Sequence, residues 1–259
     1  MRSAASCSQQ TLCRTVLTRH RHARRAEEDS GDLSLRAFRC YVSDGVHGLT
    51  ARMPEEASET RMQSVTGILL AGGRSSRMGV DKALIDLAGE SVIARILRQL
   101  SDCADQTYIV GDRPERFIDL PARVLPDDRP GLGVVGGIAT GLRVAAEGIV
   151  VCVACDMPFV DAELMQLLVD AVGSTDGAIV RAPRGYEPLC AAYRADRLES
   201  LLAMIHEGEL AAQSIARRMD LTAVDEGALL EAGLDPRRLF NMNTPDDLEQ
   251  ARELALILG

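Results

Sequence analysis

The stretch GIVVCVACD, residues 148–156, restricts the fold more than any other part of this chain. From Ile149 to Cys155 every residue is apolar, with no alternation of apolar and polar positions. A strand with one wet face shows that alternation, because successive side chains point to opposite sides of a sheet. An unbroken Val-rich run between Gly148 and Asp156 therefore reads as a strand covered on both faces. Strands of that kind belong to parallel sheets with helices on either side.

The chain from Val65 onward agrees with this. VTGILLAG is a second continuous run, TYIVGD and ARVL read as further strands, and GAIVRA and LCAAY as two more. Between them, SVIARILRQLSDCA spaces Ile93, Ile96, Leu97 and Leu100 as an amphipathic helix with Ser91 as N-cap. GGIATGLRVAAE reads as a helix, and so does DAELMQLLVDAV, opened by Asp161 and striped by Leu164, Leu167 and Leu168. Two helical stretches follow, then a final helix in NTPDDLEQARELALIL, capped by Asn243 or Thr244 with Pro245 in its first turn. Strand alternating with helix gives an α/β fold of three layers, a mostly parallel central sheet between two layers of helices. Ligands in such sheets bind beyond the carboxyl ends of the strands.

Residues 1–64 read differently. Up to Arg25 there are six Arg and no acid, then EEDSGD, then no sustained period of either kind. Such a segment lacks the apolar pattern that offsets ordering entropy. It reads as an extension outside the folded domain of residues 65–259, with three possible origins: an organelle transit peptide, a disordered tail, or a start assigned too far upstream, with Met53 or Met62 as the true beginning. The structured pattern opens just after Met62, which favours the last.

Composition excludes several functions. A net charge of −9, no Trp and 3% aromatic residues argue against a nucleic-acid surface. No apolar run approaches the roughly 18 residues of a membrane helix. Seven scattered cysteines, an odd number, suit a reduced, cytoplasmic setting. Cys152 and Cys155 form a C-x-x-C, but three residues apart on a strand they point to opposite faces, so core packing is expected rather than metal binding. Three of the four His precede residue 64, and His206 sits in the polar helical context LLAMIHEGE, which leaves no basis for a Ser–His–Asp triad or a multi-His metal site.

What remains is concentrated at strand ends. The first strand runs into AGGRSSRMGVDK, where Gly72 and Gly73 allow a sharp turn and close approach to a ligand, and Arg74, Arg77 and Lys82 concentrate positive charge. This reads as a phosphate cradle or as a Gly-rich surface turn with solvated arginines. It is not a Walker loop, which needs Lys directly after Gly and then a hydroxyl. Lys82 is the only lysine among 29 basic residues, so a compact point charge stands where the chain otherwise uses the arginine fork. The fourth strand ends in CDMPF, placing Asp156 either as a ligand for a hard divalent cation or as a turn residue before Pro158. Asn241 and Asn243 in FNMNTPDD offer amide oxygens to the same cation, or cap the last helix. GLGVVG, residues 131–136, satisfies the dinucleotide fingerprint G-x-G-x-x-G, but PDDRP separates it from the preceding strand, whereas that fingerprint needs its first Gly at the strand end.

LLAGGRSSRM with Asp81 and Lys82, PGLGVVGG, CDMPF, EPLCAAY and FNMNTPDDL, in this order, resemble the molybdenum cofactor guanylyltransferases, the MobA-like nucleotidyltransferases. The resemblance runs from about Val65 to the last helix. It implies a Rossmann-like nucleotidyltransferase domain that transfers GMP from GTP to molybdopterin, releases pyrophosphate and uses Mg²⁺. It also implies transient contact with cofactor-delivery or molybdoenzyme-maturation proteins. Carried over, Leu70, Ala71, Gly72 and Gly73 bind the nucleotide through their backbone, Lys82 holds its phosphates, Asp127 in VLPD contacts the nucleotide, and Asp156 holds Mg²⁺ with Asn243 beside it. Lys82, Asp156 and Arg77 are the residues expected to carry the reaction. Two departures stand out: Val110-Gly111-Asp112-Arg113 where some members have Asn near the nucleotide, and Val134 where GPLGG has proline. Related cytidylyltransferases tend to read LAAG with P-K, so LAGG with Asp81-Lys82 favours guanine; another nucleotidyltransferase or a non-catalytic nucleotide-binding domain is the alternative.

Overall fold

The computed structural model describes residues 63–72, 81–111 and 113–258. Expectations for residues 1–62, and for Gly73, Arg74, Arg77 and Asp112, lie outside the described residues.

Seven strands form one sheet: β1 (Val65–Leu70), β2 (Gln106–Gly111), β3 (Arg123–Pro126), β4 (Ile149–Ala154), β5 (Gly177–Ala182), β6 (Gly185–Arg194) and β7 (Leu221–Asp225). Their spatial order is β3-β2-β1-β4-β6-β5-β7. β1 pairs in parallel with β2 and β4, and β2 with β3, whereas β6 runs antiparallel to both β4 and β5. The sheet is thus mostly parallel, with one reversed strand. The connection order turns back between β1 and β4, which makes their carboxyl ends the switch point where such sheets take ligands.

The period-two rule shows in how the core divides. Leu69, Ile149, Val151 and Val153 pack into one cluster with Ile93, Ile96 and Leu100 of α1 (Val92–Cys103) and Leu164 and Leu168 of α3 (Ala162–Ala171). Ile68, Val150 and Cys152 point the other way, into a second cluster with Ile138 and Leu142 of α2 (Gly133–Ala145), Leu201 and Met204 of α4 (Leu198–His206) and Ile215 of α5 (Ala212–Arg218). Cys155 belongs to the first cluster and Cys152 to the second, so the C-x-x-C faces opposite ways and cannot close on one metal ion. His206 is exposed at the last turn of α4.

Local signals act where the sequence places them. The Ser91 hydroxyl accepts from Ala94 N at 3.4 Å and the Asp161 carboxylate from Leu164 N at 3.0 Å, satisfying amides at the starts of α1 and α3 that have no partner within their helices. The edge strand β7 is not apparent from LTAVD alone; it precedes the short helix α6 (Glu226–Glu231). The chain closes with α7 (Pro245–Leu258). Among the described residues, no helix is long and apolar enough to cross a membrane.

Candidate functional site

The carboxyl ends of β3, β2, β1 and β4 lie side by side, because Pro126 pairs with Gly111, Val110 with Leu70, and Leu70 with Ala154. Each strand hands its next residues to one edge: Asp127 after β3, Ala71 and Gly72 after β1, Cys155 and Asp156 after β4. Ala71 N donates to Val110 O at 2.9 Å, which extends the β1–β2 pairing into the turn. A Cβ on Gly111 would lie 3.0 Å from Ala71 O, so a residue without a side chain lets the turn lie this close to β2. Leu70 to Gly72 are therefore held at the switch point.

Lys82 opens a short 3-10 turn whose N-cap, Asp81, accepts from Ala83 N at 3.2 Å and pairs with Arg116. Its Nζ donates to Asn243 Oδ1 at 2.8 Å. Asn243 Nδ2 in turn donates to Asn241 Oδ1. Met242, between these two, donates its backbone N–H to Asp156 O at 2.7 Å. Residues 241–243 thus form a strap across the end of β4, fixed at its far side by a capping box. The Asp247 carboxylate accepts from Asn243 N at 2.7 Å and Thr244 N at 2.8 Å, while Thr244 Oγ1 accepts from Asp247 N at 3.1 Å.

Burial raises the Asp156 carboxyl above the usual carboxylate range, with the charge of Lys82 opposing. Glu187, early in the reversed strand β6, joins the group. Burial and the charge of Asp156 push its carboxyl up, while Arg184 and a hydrogen bond from Asn241 pull it down. The neighbouring Cys155 thiol is pushed up to about 12, by burial first and then by Asp156, with Lys82 opposing, so it stays protonated and inert.

The structure brings Lys82, Asp156 and Asn243 together, with Glu187 near Asp156. Glu187 went unassigned within EPLCAAY because the stretch before Leu189 reads as a loop, with Gly185 and Pro188 as turn residues. A carboxylate directly before proline at the start of a buried run is the signal that marks it. Asn243 Oδ1 is engaged by Lys82; its second lone pair leaves it able to reach a cation as well. Asp127 stands apart, because β3 lies three strand spacings from β4, about 14 Å. One of its oxygens accepts from Arg129 N at 2.9 Å and Thr140 Oγ1 at 3.2 Å, and its backbone N–H donates to Gly111 O at 3.1 Å.

GLGVVG does begin a helix, α2, with Gly131 and Gly133 at φ of 89° and 60°. β3 ends at Pro126, however, and the intervening residues carry Asp127 and Asp128, so the glycines do not sit at a strand end as a dinucleotide fingerprint requires.

The donor set suits a small hard cation. Asp156 supplies a carboxylate and Asn243 an amide oxygen, and among the described residues no group of three or more His, Cys, Asp or Glu gathers as a metal cage. Mg²⁺ characteristically takes one or two carboxylates and fills its remaining positions from substrate phosphates and water.

Comparison with known proteins identifies what the chain is similar to. The family of the MobA-like NTP transferase domain matches residues 67–223. The probable molybdenum cofactor guanylyltransferase of a Nostoc species is 35% identical over 193 residues, covering 72% of this chain and 90% of that protein. The molybdenum cofactor guanylyltransferase of Desulfosudis oleivorans is 30% identical over 200 residues, covering 76% of this chain and 98% of that protein. Among solved structures, molybdopterin-guanine dinucleotide biosynthesis protein A from Archaeoglobus fulgidus superposes with a TM-score of 0.64 at 28% identity, covering 74% of this chain and 99% of that one.

Proposed function

The chain belongs to the MobA-like NTP transferase family, and on that premise we propose that it transfers GMP from GTP to molybdopterin, releasing pyrophosphate and giving the guanine dinucleotide form of the cofactor. The observation that carries this reading is the convergence of Lys82, Asp156 and Asn243 beside the Leu70–Gly72 turn, at the switch point of the sheet. The two curated relatives compared above carry guanine in their names, which favours GTP over CTP.

The chemistry follows from charge. A terminal phosphate oxygen of the acceptor forms a bond to the α-phosphorus of GTP as the bond to the bridging oxygen of the β-phosphate breaks, and pyrophosphate leaves with that electron pair. The attacking oxygen is already anionic, so no strong general base is needed. The difficulty is repulsion between two polyanions, which fixed positive charge at the reacting phosphates relieves. Lys82 supplies such a charge, held in direction by Asn243. Asp156 and Asn243 are the residues that would hold Mg²⁺, which when bound supplies Lewis-acid charge at the phosphates. The Leu70–Gly72 turn offers backbone amides, the sequence expects further positive charge from Arg77, and Asp127, far along the strand-end row, meets the nucleoside. The free thiols of Cys152, Cys155 and Cys190 fit the cytoplasm, where cofactor-delivery or maturation proteins would meet the enzyme transiently.

The test is calorimetric titration of the full chain with GTP, CTP and NAD, with and without Mg²⁺, followed by pyrophosphate release in the presence of the acceptor. GTP-selective binding strengthened by Mg²⁺, and turnover lowered by about 10²–10³ in Lys82→Ala, is the expected result. Selectivity for CTP would change the base, and binding of NAD alone would overturn the reading.

A further inference from the structure

Thr140 is a polar side chain, 2% exposed, within residues 135–142 of α2, a stretch that is buried throughout. A threonine inside a helix can satisfy its hydroxyl on the carbonyl four residues back, and Thr140 Oγ1 does lie 3.0 Å from Gly136 O. The same oxygen also meets the turn after β3 twice. It donates to Asp127 Oδ1 at 3.2 Å and accepts from Asp128 N at 3.3 Å. The hydroxyl has one proton and two lone pairs, so it can hold a carboxylate oxygen and an amide at once.

Asp127 is fixed at more than this point. Its Oδ1 also accepts from Arg129 N at 2.9 Å, and its backbone N–H donates to Gly111 O at 3.1 Å. With Oδ1 engaged by two donors, Oδ2 is the oxygen that the carboxylate can offer to a ligand. Two glycines bring the helix within reach. A Cβ on Gly137 would run into the Leu70 side chain, and one on Gly136 would lie 3.1 Å from Arg129 O, so α2 approaches both β1 and the turn after β3.

We propose that Thr140 is a positioning residue for the nucleotide, its hydroxyl fixing the rotation of the Asp127 carboxylate so that Oδ2 stays presented to the nucleoside. This rests on the reading of Asp127 as the nucleoside contact. Thr140 acts on binding and not on the chemical step, because β3 stands about 14 Å from β4, whose end carries Asp156.

Thr140→Val, which keeps the shape and removes the hydroxyl, and Thr140→Ser, which keeps the hydroxyl, test this in the full chain through the calorimetric Kd for Mg·GTP and the kinetics of GMP transfer. Thr140→Val should raise the Kd and KM for GTP about tenfold, the scale of a lost hydrogen bond to a charged group, with kcat within about twofold of wild type. Thr140→Ser should stay within about twofold in every constant. In an Asp127→Ala background, Thr140→Val should add less than about twofold, because its effect travels through the missing carboxylate. Thermal melts identify any variant that fails to fold; if Thr140→Val is one, Thr140→Ala takes its place in each comparison. A Ser variant as weakened as the Val variant would show that the methyl group matters and not the hydroxyl, and a fall in kcat with KM unchanged would place the effect at the reacting phosphates. Either result overturns the proposal, as would losses that multiply in the double variant. Wild-type affinity in Thr140→Val beside a weakened Asp127→Ala overturns the positioning role alone, whereas wild-type affinity in Asp127→Ala overturns the reading of Asp127 and this inference with it.

Discussion

Lys82 is the chain's only lysine, and its surroundings explain why an arginine does not stand there. The ammonium reaches one amide oxygen at 2.8 Å and also acts on the carboxyl of Asp156, a geometry for a compact charge with rotatable donors. Lys82→Arg should therefore keep GTP binding near the wild-type level in charge but lose about tenfold or more in turnover, since the planar fork cannot replace a point donor without moving Asn243. Steady-state kinetics separates the two. Asp156 behaves in the opposite sense to a surface acid. Burial raises its carboxyl, so the folded state holds the proton more tightly than the unfolded chain, and the stability it contributes is full at low pH and is lost as the pH rises through the raised value. Asp156→Asn, which mimics the neutral acid, should then raise the thermal midpoint at pH 7 in the absence of divalent cation while abolishing GMP transfer. A midpoint equal to or below wild type would contradict this account of the site.

At the scale of elements, the turn after β1 is held by its neighbour β2. Gly111 belongs to β2, yet Ala71 O stands 3.0 Å from where its Cβ would be. Gly111→Ala should push the Leu70–Gly72 turn outward by a few tenths of an ångström, weakening GTP binding several-fold in calorimetry while unfolding in urea changes by only about 1 kcal/mol. The same scale shows what was legible in advance. Apolar runs without alternation marked β1 and β4, helical spacing marked α1 and α3, and Ser91 and Asp161 marked where those helices begin. Asp156 and Asn243 were legible because they follow β4 and precede α7, and Lys82 because it is the chain's only lysine. β7 was not, because five residues at a sheet edge carry little apolar pattern, and the reversal of β6 was not, because direction leaves no trace in periodicity. Glu187 depended on that reversal and was hidden with it.

The whole molecule carries −9 charges and is read as handling two polyanions, so its anion site must be local. Three carboxyls, Asp156, Asp161 and Glu187, are raised, each by burial first. Their own contribution to the stability of the free protein declines as pH rises from the ordinary carboxyl range through their raised values, while carboxyls held low by arginine partners, such as Asp235 beside Arg237, act in the opposite sense. The difference between wild type and Asp156→Asn in thermal melts across pH 4–8 at constant ionic strength isolates the part due to Asp156. Mg·GTP at about one hundred times its Kd should restore about 2.7 kcal/mol, and a smaller shift in Asp156→Asn than in wild type would locate that linkage at the strand-end site.

Because β6 runs against its neighbours, it brings its first residues to the edge where β1 to β4 bring their last. On the proposed reading the sheet therefore has a seam at β4: to one side lie the turns that hold the nucleotide, to the other a hairpin tip at residues 182–186 that joins β5 to β6 and is tied to α5, where Gln213 Nε2 donates to Tyr186 O at 2.7 Å. A lineage could rewrite that tip, in length or composition, without disturbing a single hydrogen bond of the β1 turn. The fold thus allows the donor nucleotide to be inherited while the acceptor is changed.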